Sequence, residues 1–293
     1  MKKFLIALAF GASISNPALA FGLGDLLGGG GSGSGGGLDL GKVVKAVSSA
    51  GEALKDYTPE QEDAIGRRVM ADLLGAAPLV NNPGMQRYVN QIGLWVALQS
   101  ERPNLPWRFG VTDDLHVNSF AAPGGYILIT RGLYDRLHSE AELASVLAHE
   151  IAHVVKGHQI RAMKSAKGGE FLSTTAKIVA ESRGRSEANY AANAFSGGTE
   201  IFVRGMDKND EFEADVYGMV LAARAGYNPF ALPAVLTTIG NINPKDDAVG
   251  LLFSTHPSPR ERLDKIEESV GDKLDQYANG VDNTPVFRRI HAR

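Results

Sequence analysis

The spacing of hydrophobic positions changes character twice along this chain. Ile65, Val69 and Leu73 recur at helical spacing behind Thr58, Pro59 and Gln61, a start signal in which the threonine caps and the glutamine reaches back. From about Pro83, the residues Met85, Tyr88, Val89, Ile92 and Val96 repeat the helical pattern. Extended character then takes over in three short runs, 107–111, 117–121 and 126–130, with Pro123-Gly124-Gly125 as the turn between the last two. A small antiparallel sheet is the expectation. After Arg131 the helical period returns and persists, so helices, a short sheet and more helices predict an α+β domain rather than an alternating parallel one. No fixed repeat is present, which excludes a solenoid.

The first 56 residues read differently. Lys2 and Lys3 precede an apolar run from Phe4 to Phe10, and the stretch closes with Ala18-Leu19-Ala20, the pattern of a secretory signal peptide over 1–20, removed after Ala20. The run is shorter than the roughly 20 residues a membrane span needs. A glycine-rich tether follows over 21–37, and 38–56 predicts an amphipathic helix with Leu40, Val43, Val44 and Val47 interleaved with lysines, suited to packing on the domain or lying on a membrane surface. The expected organisation is completed by a main domain over 57–275 and a tail over 276–293. No later stretch suits a transmembrane span, so the exported chain is expected in the periplasm, with membrane association through 38–56 left open.

Composition narrows the chemistry. Lys plus Arg total 30 and Asp plus Glu 33, a net charge of −3 that offers no footprint for nucleic acid. Cysteine is absent, which excludes disulfides, thiolate nucleophiles and thiolate-bound metal, leaving imidazole and carboxylate as the strong ligands. Those groups converge in Ser139-Glu140-Ala141-Glu142, a capping box, followed by a helix bearing His149-Glu150-Ile151-Ala152-His153. Histidines four apart share one helix face and can reach one zinc ion, while Glu150 beside them is the general base.

A third ligand is chosen by spacing. A metzincin continuation needs Gly at 156 and His at 159, where the chain has Lys156 and Gln159. His158 falls about 140° around a continuing helix from His153 and would point away. The carboxylates of Asp210-Glu211-Phe212-Glu213-Ala214-Asp215 fit better: Phe212, Val216, Met219 and Val220 form an apolar helix face, and Glu211 and Asp215 share another. Glu211 is the expected ligand, Asp215 the acceptor for the free ring N–H of a ligating histidine, and Gly218 the place where the two helices meet closely. Glu213 lies off that face.

These residues, together with Gly157-His158, His256-Pro257, Arg262-Leu263, the stretch Asn118 to Tyr126 and Thr130-Arg131-Gly132-Leu133, resemble the zinc metallopeptidase family that includes HtpX, the Ste-type prenyl proteases and the mitochondrial Oma-type protease. The nearest likeness is to its soluble periplasmic branch, the type of the beta-barrel assembly-enhancing protease, without the membrane helices of the former or a tetratricopeptide array. The resemblance runs from about Tyr57 to about Val270. It implies a mainly helical gluzincin domain with its sheet beside the zinc-binding helix, one zinc ion per chain, and an endopeptidase acting on unfolded or misassembled envelope proteins. It also brings His256 and Arg262 beside the metal, as an inhibitory switch or as oxyanion donors, and makes Asn118, Ser119, Phe120 and Ala121 a substrate-binding edge strand. The outer-membrane assembly machinery is the implied partner. A metal-binding chaperone or latent pseudoprotease is the alternative; it would not need Glu150. A gluzincin aminopeptidase would need a recognition set for the substrate amino terminus, which is not identifiable. The glycine-bearing stretch 159–205 has the composition of a lid.

Overall fold

The computed structural model describes residues 57–164 and 207–291, so the signal, tether and amphipathic-helix segments and most of the lid segment lie outside the described residues. Helix α1 (Pro59–Ala76) starts as expected: Thr58 accepts from the Gln61 backbone N–H and the Gln61 side chain accepts from the Thr58 N–H. Asn82 caps α2 (Pro83–Ala97), whose Met85, Tyr88, Val89, Ile92 and Val96 are all buried.

Three strands follow: β1 (Arg108–Thr112), β2 (Ser119–Ala122) and β3 (Tyr126–Thr130), in the order β1-β3-β2. β2 and β3 form the expected antiparallel hairpin around Pro123-Gly124-Gly125. The expectation of a wholly antiparallel sheet needs correction, because β1 runs parallel to β3, with Arg108 opposite Tyr126 and Thr112 opposite Thr130. The reason lies in β3, whose five residues are all buried. A strand buried throughout takes the centre; its hairpin partner β2 occupies one side and β1 the other, and because the chain reverses once over 113–118 and again at the hairpin, β1 and β3 run the same way.

After the short helix α3 (Arg131–Tyr134) comes α4 (Glu140–Lys156), capped by Ser139 and buried along its whole length. It is the spine of the domain, packed by α2, the sheet, α6 (Lys208–Arg224) and α7 (Ala231–Gly240). Gly157 ends α4 in a left-handed conformation, φ 65°, and α5 (His158–Lys164) starts at once in a new direction. Helices α8 (Asp247–Thr255), α9 (Pro259–Val270) and α10 (Thr284–His291) complete the described chain. The segment set apart above as a tail is docked: Phe287 is 1% exposed, against Tyr88 and Tyr134. Burial of the large apolar ring fastens this segment to the domain.

Two cores result. The larger surrounds α4; the smaller joins Val69, Met70 and Leu73 of α1 to Ala122, Tyr126 and Leu128 of the sheet.

Candidate metal centre

α4 projects His149 and His153 from one face, as four-residue spacing requires, and both are almost wholly buried. Their Nε2 atoms lie 3.1 Å apart. α6 meets that face with Glu211, whose Oε1 is 3.4 Å from His153 Nε2 and whose Oε2 is 3.7 Å from His149 Nε2. Ligand atoms at the corners of a tetrahedron about 2.0–2.1 Å from a zinc ion stand about 3.4 Å from one another. The three separations bracket that value. Both Glu211 oxygens are buried without a hydrogen-bond donor among the described residues. A buried carboxylate in that state lacks its compensating charge, which is the condition a cation relieves. Burial accordingly drives the Glu211 carboxyl up to about 7, partly offset by His149 and Arg262.

The helices can meet so closely because of Gly218, where an added Cβ would lie 3.0 Å from the His149 backbone nitrogen. The polarity of α6 differs from its sequence reading. Phe212 and Val216 are only half-buried, whereas Glu211, Ala214, Asp215 and Gly218 form the inward face. Small residues and ligand carboxylates seat the first turns of this helix against α4, and Tyr217, Met219, Val220 and Leu221 bury its later turns.

Asp215 Oδ1 accepts from His149 Nδ1 at 2.9 Å, leaving Nε2 turned to the centre. Arg262 on α9 grips the same carboxylate, donating from Nε to Oδ2 at 2.9 Å and from its terminal nitrogen to Oδ1. Burial alone would raise Asp215, but Arg262 and then His149 hold it down at about 2. Glu150 is 3% exposed on the next position of α4 and accepts from the Ser119 hydroxyl at 2.6 Å. Burial pushes its carboxyl up, tempered by His149 and by Ser119. His256, at the C-cap of α8, brings Nε2 to 3.7 Å from Glu211 Oε2. Burial, then the Arg262 charge, lowers its imidazole to about 3, which keeps it neutral.

The expected substrate strand divides. β2 is an edge strand of the sheet formed by the described residues and lies against α4. Asn118 is buried just before it, with its side-chain oxygen accepting from the Ser119 N–H at 2.9 Å. Ser119 and Phe120 are half-buried, Ala121 is buried, and the Ala121 carbonyl accepts from Gln159 at 3.3 Å.

Sequence reasoning misjudged His158. Because Gly157 turns the chain out of α4, the ring does not point away: its Nδ1 lies 2.8 Å from His153 Nδ1, and its Nε2 lies 3.2 Å from Glu213 Oε2. Glu213 is therefore part of the same array. The signal available beforehand was Gly157 itself, since a glycine behind a helical run marks the stop that invalidates a continued rotation.

Residues 83–270, more than half of the chain, match Peptidase family M48. The chain belongs to this family. Among curated M48 relatives it is 27% identical over 237 residues to the Beta-barrel assembly-enhancing protease of Escherichia coli K12, covering 77% of this chain and 49% of that one. The protein of the same name from Yersinia pestis is 30% identical over 226 residues, covering 74% and 44%. Metalloprotease LoiP of E. coli K12 is 26% identical over 155 residues, covering 53% and 59%. The chain spans about half the length of the assembly-enhancing relatives it matches. No helix among the described residues is long and apolar enough to cross a membrane.

Proposed function

We propose that this M48 protein is a zinc-dependent endopeptidase in which His149, His153 and Glu211 hold the ion and Glu150 is the catalytic base. The observation that carries the reading is the convergence of two histidine nitrogens on a buried carboxylate that has no donor of its own, one residue from a second buried carboxylate. When bound, zinc supplies a Lewis acid that polarises the scissile carbonyl and acidifies water. Glu150 takes the proton of the attacking water and delivers it to the leaving amine; its raised affinity for protons suits a group that must hold one between those events. Ser119 fixes the Glu150 carboxylate and, on the edge strand, stands where an extended peptide would lie. Backbone pairing along such an edge is tolerant of sequence, which favours unfolded or misassembled chains as substrates. Together with the names of the relatives, that supports quality control in the periplasm beside the outer-membrane assembly machinery.

His256 is read as an inhibitory ligand. Its Nε2 stands as far from Glu211 Oε2 as His149 Nε2 does, so a shift of His256 toward the two histidines would give the ion a fourth ligand and close the site. Arg262, engaged with Asp215, is read as holding that carboxylate rather than as an oxyanion donor.

The deciding experiment compares wild type and Glu150→Gln for zinc content and for cleavage of an unfolded protein such as casein. Equal zinc with cleavage only in the wild type is expected. Equal cleavage by both would remove Glu150 as base, and a zinc-free wild type would remove the metal assignment.

A further inference from the structure

The two proposed ligand histidines are supported unequally. His149 meets a carboxylate directly, whereas His153 meets another histidine. Two imidazole nitrogens 2.8 Å apart, Nδ1 to Nδ1, share one proton, and only one of the two placements is consistent with a metal ligand. If His158 Nδ1 carries the proton, a neutral His153 must carry its own on Nε2, which blocks ligation, and a neutral His158 then turns an Nε2 lone pair toward Glu213. If His153 Nδ1 carries it, Nε2 of His153 is open to the ion, and His158 Nε2–H donates to Glu213 Oε2 at 3.2 Å. Both nitrogens of the His158 ring and the Nδ1 of His153 then face a partner of the right kind.

Glu213 is itself anchored. Lys156 Nζ is 3.3 Å from its Oε1 and Arg161 3.6 Å from its Oε2, while Arg161 also binds Asp210 at 2.6 Å. These two cations already answer the negative charge of Asp210 and Glu213, so His158, Asp210 and Glu213 are not a second cation site. His158 is fully buried, and the left-handed Gly157 is what aims it back at His153.

We infer that His158 and Glu213 are positioning residues that set the tautomer and ring orientation of His153 for the metal, through the chain His153 Nδ1–H to His158 Nδ1 and His158 Nε2–H to Glu213. This rests on the assignment of His153 as a ligand. It goes further by giving a role to an imidazole that neither ligates nor reacts.

The test measures the affinity of the full chain for Zn²⁺ by chelator competition in His158→Phe and His158→Asn. Phenylalanine fills the space but accepts no hydrogen bond; asparagine places an acceptor oxygen near the position of Nδ1 but leaves a gap. Loss of the orienting partner should weaken zinc binding about 10- to 100-fold in His158→Phe, with substantial recovery in His158→Asn. A packing role predicts the reverse order. Wild-type affinity in His158→Phe, or weaker binding in His158→Asn than in His158→Phe, would overturn the inference. Should His158→Phe fail to fold, ¹⁵N-histidine NMR of the zinc-loaded wild type decides: a coupling across the N–H···N bond with His158 protonated on Nε2 is expected, and His158 protonated on Nδ1 overturns it. A wild-type chain that binds no zinc would instead defeat the ligand assignment on which this rests.

Discussion

A single carboxylate, Glu211, sets much of the chemistry of the proposed centre. Its burial without a donor raises its proton affinity to about 7, so protons and metal compete for it near neutrality. A cation requires the ionised form, so affinity is full above this value and falls as pH drops through it, by about tenfold per unit for each proton displaced. Calorimetric zinc titrations in buffers of different ionisation enthalpy should show proton release near pH 7. Glu211→Ala should remove zinc and activity together. Glu150→Gln should keep zinc and lower turnover by about 10²–10⁴-fold, measured on an unfolded substrate. For His256→Ala, the inhibitory-ligand reading predicts higher basal cleavage at unchanged zinc content; lower turnover in a zinc-replete variant would instead make His256 an oxyanion donor.

At the scale of elements, two glycines decide whether the residues meet. Gly218 admits α6 to within contact of the α4 backbone, and the atoms an added Cβ would press on are main-chain atoms of His149 and Ala148, which cannot rotate aside. Gly218→Ala should cost about 1–3 kcal/mol in denaturant unfolding and weaken zinc binding by spreading the helices. This contact was legible in advance, because Gly218 lies on the same helical face as Glu211 and Asp215. Gly157 signalled a stop, but not where His158 would go, because a rotation angle along α4 assumes that the helix continues and the left-handed residue breaks it. His158 stands one hydrogen bond behind His153, and Glu213, off the ligand face of α6, stands a second behind His158.

Over the whole molecule, α4 is held at both ends by contacts distant in sequence. At its start, Glu140 accepts from Tyr88, Tyr227 and Asn283, residues drawn from α2, the loop after α6 and the C-terminal segment. Toward its end, Arg102 binds the nearly buried Glu62 through both carboxylate oxygens and reaches the Val154 carbonyl. Glu62→Ala, which strands a partly buried guanidinium, should cost about 3 kcal/mol. Phe287→Ala should cost about 3–5 kcal/mol in thermal or denaturant unfolding, showing the C-terminal helix to be part of the domain. What the sequence by itself determined is local and periodic: the helix starts at Thr58 and Ser139, the hairpin at Pro123-Gly124-Gly125, and the two histidines and the Glu211–Asp215 pair, each on one helix face. Such features follow from rotation per residue and from capping, which act within a few positions. Tertiary structure alone decided the parallel pairing of β1, the docking of Phe287, the Ser119 hydroxyl on Glu150 and the arm from His153 to Glu213. Each depends on how separate elements are placed in space, and no short-range periodicity carries that information.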